Sequence, residues 1–152
     1  MQTPEASHEL ATLDRLANIA LMRRFYEARL ANDVEGCLAC FSPEVVLEIV
    51  DSTGLFLFQG RQAGKDAMRR SIEANQTEME LLGIDVTDTL VEGERIAVRR
   101  FLRMRGRGSG ALRKVEMFEF ARVVEGQIVE LFQHLDTSAV ALATGKQSQR
   151  SV

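Results

Sequence analysis

The sequence predicts an α+β fold in which N-terminal helices pack on a strongly curved, mostly antiparallel sheet around a central pocket. Three observations carry that reading. Apolar residues recur at helical spacing in the N-terminal segments, the period drops to 2 near residue 79, and it stays there through four consecutive segments. Helices grouped ahead of a strand meander argue against alternating βαβ units. A long sheet with helices on one face must curve round them, and the space between the layers is where such a fold takes a ligand.

From about Ala6 to Ala31, the residues Leu10, Leu13, Ala17, Leu21 and Phe25 form the apolar stripe of an amphipathic helix. Asn32-Asp33 ends it and caps a short second helix in DVEGCLACF. Ser42-Pro43 stops that helix, because proline biases its predecessor away from helical geometry. The β-branched run EVVLEIVD opens a strand, STG turns it, and LFLFQG returns as a second short strand that closes on Gly60 and pairs with the first. Ala63, Ala67, Met68 and Ile72 mark a third helix from about Gln62 to Asn75. The meander then consists of MELLGIDVTDTLV, RIAVRRFLRMRG, LRKVEMFEFARVV and QIVELFQHL. Val-Glu-Gly makes its first and third turns, and a looser GRGSG makes the middle one. DTSAVALATG is a closing helix stopped by Gly145, and KQSQRSV is left as a frayed tail.

A chain of 152 residues with 45% hydrophobic content fits one domain, with its core from about residue 8 to 145. Its net charge of -3 argues against a surface that neutralises phosphates, so no nucleic-acid partner is expected. MQTPEASHEL is polar and acidic where a secretory signal needs a basic start and an apolar run. No apolar stretch is long enough to span a bilayer, so the expectation is a cytoplasmic protein with no membrane partner. Cys37 and Cys40 have redox spacing but lack a preceding strand and further zinc ligands, and they read as small core residues; neither a metal nor a cofactor is expected. The basic run from Arg99 to Lys114 reads as a solvated hairpin.

Ionisable residues in apolar surroundings are the candidates for chemistry. Phe132, His134 and Asp136 share a face by alternation if the last strand reaches Asp136. A histidine and an aspartate projecting into an apolar cavity have the shifted pKa values that acid/base work needs. Asp136 before Thr-Ser-Ala is also a good helix N-cap, and the two roles do not exclude each other. Glu119, which shares its face with Met117 and Ala121, needs a partner or a proton. Arg100, on the face of Val98, Leu102 and Met104, is the natural partner; a structural pair and a pocket role both remain open.

The element order, together with MRRFYEARLANDVEGCLACFSPEVVLEIVD, GRQAGKDAMRRSI and VVEGQIVELFQHLDTSAVALATG, resembles the NTF2-like superfamily over about Ala17 to Gly145. Within it the likeness is to the SnoaL-like polyketide cyclases and the ketosteroid-isomerase-like proteins. The resemblance implies a cone-shaped fold that binds a small hydrophobic, oxygenated molecule. It also implies isomerase, cyclase or lyase chemistry by carboxylates without a metal. The cyclases' acid/base aspartate falls on Asp136, and IVDSTGLFLFQG puts Asp51 at the isomerase base position, with His134 as a further helper. The isomerase's oxyanion acid falls near Glu119, and its tyrosine falls on Phe25, with Tyr26 next door. Arg100, Phe132, Phe56 and Met117 are then expected against the ligand. A homodimer through the outer sheet face, with Phe118 and Phe120 in the interface, is implied as well. The alternative is a non-catalytic ligand-binding or assembly module of the same fold, favoured by phenylalanine in the tyrosine's place. Epoxide hydrolysis is matched only by the final aspartate, since Phe101 stands where that branch has its second one.

Overall fold

The computed structural model describes residues 3–51 and 60–145. The chain runs α1 (Pro4–Leu30), α2 (Val34–Ala39), β1 (Phe41–Val50), β2 (Gly60–Ala63), α3 (Lys65–Glu78), β3 (Met79–Glu92), β4 (Arg95–Gly106), β5 (Leu112–Val124), β6 (Gln127–Leu135) and α4 (Thr137–Thr144). The last three strands have the expected bounds, because unbroken alternation and glycine turns define them locally. Elsewhere tertiary pairing shifts the boundaries. β1 starts at Phe41 and runs through Ser42-Pro43, since Phe41 pairs with Ile128 of β6. β2 is GRQA, later than the LFLFQG strand expected; Phe56 and the rest of that segment before Gly60 lie outside the described residues. α3 continues past Asn75 to Glu78.

All the strands form one sheet, in the order β2-β1-β6-β5-β4-β3. β1 joins the meander by parallel pairing with β6, and every other neighbour is antiparallel. Register breaks at Leu81/Gly83, Val86/Asp88 and Arg122/Val123 are bulges, which bend strands and increase their twist. They let the sheet curl round the helices.

The inner face of the sheet is the core. Buried residues alternate along β4 (Ile96, Val98, Arg100, Leu102, Met104) and β5 (Val115, Met117, Glu119, Ala121, Val123). One end of that face packs on Leu21, Met22, Phe25 and Tyr26 of α1 and on Met68 and Ile72 of α3. At the other end, α4 sets Val140 and Ala143 against Leu102, Met104 and Val115. Cys37 and Cys40 are free, buried thiols in the first of these clusters. The stripe expected along α1 is buried only from Leu21 onward, while Leu10 and Leu13 are exposed. The helix meets the end of the sheet where Asn18 donates to the Gly93 carbonyl at 3.2 Å, and the earlier turns run past it.

The middle turn is better anchored than its composition suggests. Ser109 Oγ donates to the Ala143 carbonyl at 2.5 Å, so the loop satisfies an end group of α4. A Cβ on Gly106 would run into the same carbonyl, which is why glycine is needed there. Asp136 caps the other end of α4, its carboxylate accepting from the Ala139 N–H at 3.1 Å, an interaction worth about 1 kcal/mol. Among the described residues no helix is long and apolar enough to cross a membrane.

Candidate functional site

A cavity of about 110 Å³ lies between the C-terminal turn of α1, α3 and the inner sheet face. Its walls are mostly apolar, with Leu47, Ile49, Met68, Ile72, Leu102 and Met104 prominent. The polar groups on the wall include Arg29, Arg100, Gln133, Asn75 and Glu78.

Directly behind Arg100 is a buried polar network centred on Glu119. The Glu119 carboxylate accepts from Tyr26 Oη at 2.6 Å, Arg100 Nη2 at 2.8 Å and Gln133 Nε2 at 2.6 Å. Arg100 and Glu119 are 4% and 1% exposed, and the guanidinium lies over the Tyr26 ring at 4.3 Å. Strand register builds this arrangement. Glu119 stands opposite Val98 on β4 and Gln133 on β6, which puts Arg100, two residues past Val98, on the diagonal within reach. Tyr26 arrives from the buried stripe of α1. Both carboxylate oxygens are occupied by donors, so Glu119 orients its neighbours and has no oxygen free for a ligand's proton. Burial pushes the Tyr26 hydroxyl above its usual range, and the negative charge of Glu119 pushes it further, against the opposing charge of Arg100.

The expected pocket residues divide sharply. Arg100 and Met117 line the cavity, and the Arg100–Glu119 pair exists as the residue patterns allow. Tyr26 and Glu119 stand behind the wall, joined to it through Arg100 and Gln133. Phe132 and His134 do not face the cavity. They lie on the outer face opposite Phe120 and Phe118, because the cavity-facing set on β6 is the alternate one, Leu131, Gln133 and Leu135. Asp136 is exposed and off the cavity wall: β6 ends at Leu135, and the alternation that would have aimed the aspartate ends with it. Asp51 is half-buried just past β1 and is not on the wall either. Phe56 lies outside the described residues.

Several polar wall residues were missed in the sequence, among them Glu78, Arg29 and Gln133. Arg29 extends the helical series Met22, Phe25, Tyr26 by one more turn, so its spacing places it on the buried face although its charge suggests otherwise. Gln133 sits between Leu131 and Leu135, on the face opposite Phe132 and His134. Among the described residues, no cluster of three or more His, Cys, Asp and Glu side chains is placed to hold a metal ion.

The SnoaL-like domain model matches residues 22–131, a span that holds α2, α3, β1 to β5 and most of β6. The chain belongs to the SnoaL-like domain family. No curated protein matches this SnoaL-like chain in sequence. Solved structures share its architecture at low identity. A Bacillus subtilis protein described as a candidate isomerase superposes with a TM-score of 0.79 at 14% identity, covering 88% of this chain and 96% of its own. An NTF2-like protein of unknown function from Burkholderia pseudomallei has a TM-score of 0.74 at 24% identity, covering 84% of this chain and 97% of its own. TerC, co-crystallised with polyporic acid, has a TM-score of 0.73 at 17% identity, covering 86% of this chain and 99% of its own. At these identities the likeness establishes the NTF2-like fold.

The network makes one pH dependence measurable. Tyr26 is the single tyrosine and there is no tryptophan, so ultraviolet titration reads this hydroxyl alone. Its raised folded-state pKa means that the unfolded chain releases the proton first. The associated stability is therefore intact below about pH 10 and falls above it by about 1.4 kcal/mol per pH unit. The expected outcome is that tyrosinate absorbance appears only together with loss of the circular-dichroism signal; ionisation near pH 10 in a still-folded protein contradicts the network.

Proposed function

We propose that this SnoaL-like protein binds a small hydrophobic, oxygenated molecule between α1, α3 and the inner face of the sheet, with the cytoplasm as its place. The observation that carries the reading is the cavity itself, apolar in most of its wall with a few polar side chains on it. Its volume of about 110 Å³ compares with roughly 150 Å³ for a buried cavity that admits benzene, so a molecule built on a single ring suits it. The co-crystallisation of TerC with polyporic acid supports an organic ligand for this architecture. Ile72→Trp fills the cavity from α3. Its affinity for a neutral probe such as acetophenone, read by calorimetry, is expected to fall about tenfold or more with an unchanged circular-dichroism spectrum. Equal affinity in the two proteins would place the probe elsewhere.

Acid/base proton transfer on the bound molecule, in isomerisation, cyclisation or dehydration, is the catalytic extension of this reading. Its support is Glu78, the one carboxylate on the cavity wall among the described residues. Exchange of a bound ketone's α-protons into deuterated water, followed by NMR, is expected to be lost in Glu78→Gln and kept in Asp136→Asn. The reverse pattern would return the role to Asp136.

The outer sheet face supports a second copy of the chain as partner. Phe118 and Phe120 are 51% and 58% exposed on adjacent same-face positions of a central strand, a composition suited to a two-fold, self-complementary interface. Sedimentation of the wild type as a dimer and of Phe118→Arg as a monomer is the expected result; a monomeric wild type sinks the homodimer.

A further inference from the structure

Arg29 stands apart from the network behind the cavity. It belongs to the last turn of α1, is partly buried, and lines the cavity. Among the described residues its guanidinium has no hydrogen bond and no ion pair. Other arginines on the sheet and helices do have carboxylate partners: Arg69 has Glu35, Arg99 has Glu116, Arg103 has Asp85 and Arg122 has Glu130. The buried carboxylate nearest in effect, Glu119, is already held by Tyr26, Arg100 and Gln133.

A second observation points the same way. Arg100 is almost wholly buried on the same wall, yet it donates only from Nη2 to Glu119, and its Nε has no partner. Buried polar groups without partners are uncommon, and each calls for an explanation. Arg100 Nε is one such group, and the unpaired guanidinium of Arg29, itself partly exposed, lines the same cavity.

The chemistry of the guanidinium says what would satisfy them. A guanidinium stays protonated at neutral pH, so it cannot escape burial by losing its proton, and an unpaired one held away from water is costly. The carbonyl end of α1 offsets part of that cost. Burial still pushes the Arg29 pKa down, and the positive charge of Arg100 adds to the effect. Arg29 and Arg100 contribute two positive charges, and Glu119 behind the wall and Glu78 on it contribute two negative ones, so what the wall offers an anion is not net charge but guanidinium donors without partners. Apolar side chains cover most of the rest of the wall.

We propose that the cavity is built for an organic anion, an apolar single-ring body whose carboxylate or ionised enol oxygen pairs with Arg29 and accepts from Arg100 Nε. The inference rests on the cavity being the ligand site and names the class of ligand it takes. The planar fork of Arg29 suits two parallel bonds to a carboxylate, which are the stronger, charge-assisted kind. Arg29 would set the end at which the anion lies, and the methionine and leucine wall would select the body.

The test compares benzoate with its neutral analogue benzyl alcohol by calorimetry at neutral pH, using the wild type, Arg29→Met and Arg29→Lys. The wild type is expected to bind the carboxylate about tenfold tighter than the alcohol. In Arg29→Met that ratio falls to near one, and binding of the alcohol shows that the variant's cavity is intact; Arg29→Lys keeps part of the preference. Equal wild-type affinities, or a preference that survives in Arg29→Met, overturn the anion anchor while leaving the cavity as a ligand site. If the wild type binds neither compound, the cavity reading fails and the anchor with it. The wild-type ratio decides without any variant.

Discussion

The burial of one carboxylate constrains the rest of the molecule. Glu119 is taken almost completely out of water on β5, and its charge is offset by donors from α1, β4 and β6. Removing one partner of such a pair typically costs about 3–5 kcal/mol, a large part of the roughly 5–15 kcal/mol that holds a domain folded. The three donors also fix geometry. Tyr26 ties the helix to the sheet, Gln133 ties β6 to β5, and Arg100 is held between the Tyr26 ring and the cavity. Apolar residues of similar volume would give comparable or greater stability. What they would not give is an oriented guanidinium on the cavity wall.

The same network explains why the ionisable groups on the two faces of the sheet behave differently. On the outer face, Arg99, Arg103 and Arg105 have carboxylate neighbours on adjacent strands and stay in contact with water. The basic run around GRGSG is largely balanced in place, in keeping with a solvated hairpin. On the inner face, charge is scarce and each group matters. Glu119 consumes three donors, and Arg29 and the Nε of Arg100 are left over. Guanidinium donors without partners on a mostly apolar cavity wall are the consequence.

Strand polarity decides which residues take part. Successive side chains alternate between faces, so His134 and Gln133 are separated by the full thickness of the sheet although they are neighbours in the chain. Gln133 donates to Glu119, while His134 stands beside Phe118 on the face proposed to meet a second copy. The closing aspartate leaves the alternation altogether. It follows the last residue of β6 and spends its carboxylate on the first free N–H groups of α4, the local demand that any helix start imposes.

The sequence by itself determined the elements and their order, because alternation, helical periodicity, proline and glycine act over a few residues. β4, β5 and β6 are legible to the residue, while the Arg100–Glu119 pair and the cap at Asp136 were each one of two readings that the residues left open. Only the tertiary structure decided which face of β6 meets the cavity, since both faces carry large apolar residues and alternation alone gives the pairing of faces without their direction. It also decided that β1 begins at Phe41, through its parallel pairing with β6, and that the first turns of α1 lie beyond the sheet. Arg29 belongs to the same class. Its helical spacing was visible, but a lone arginine on an apolar stripe acquires meaning only when the carboxylate nearest to it is seen to be taken by other donors, a fact assembled from four elements distant in the chain.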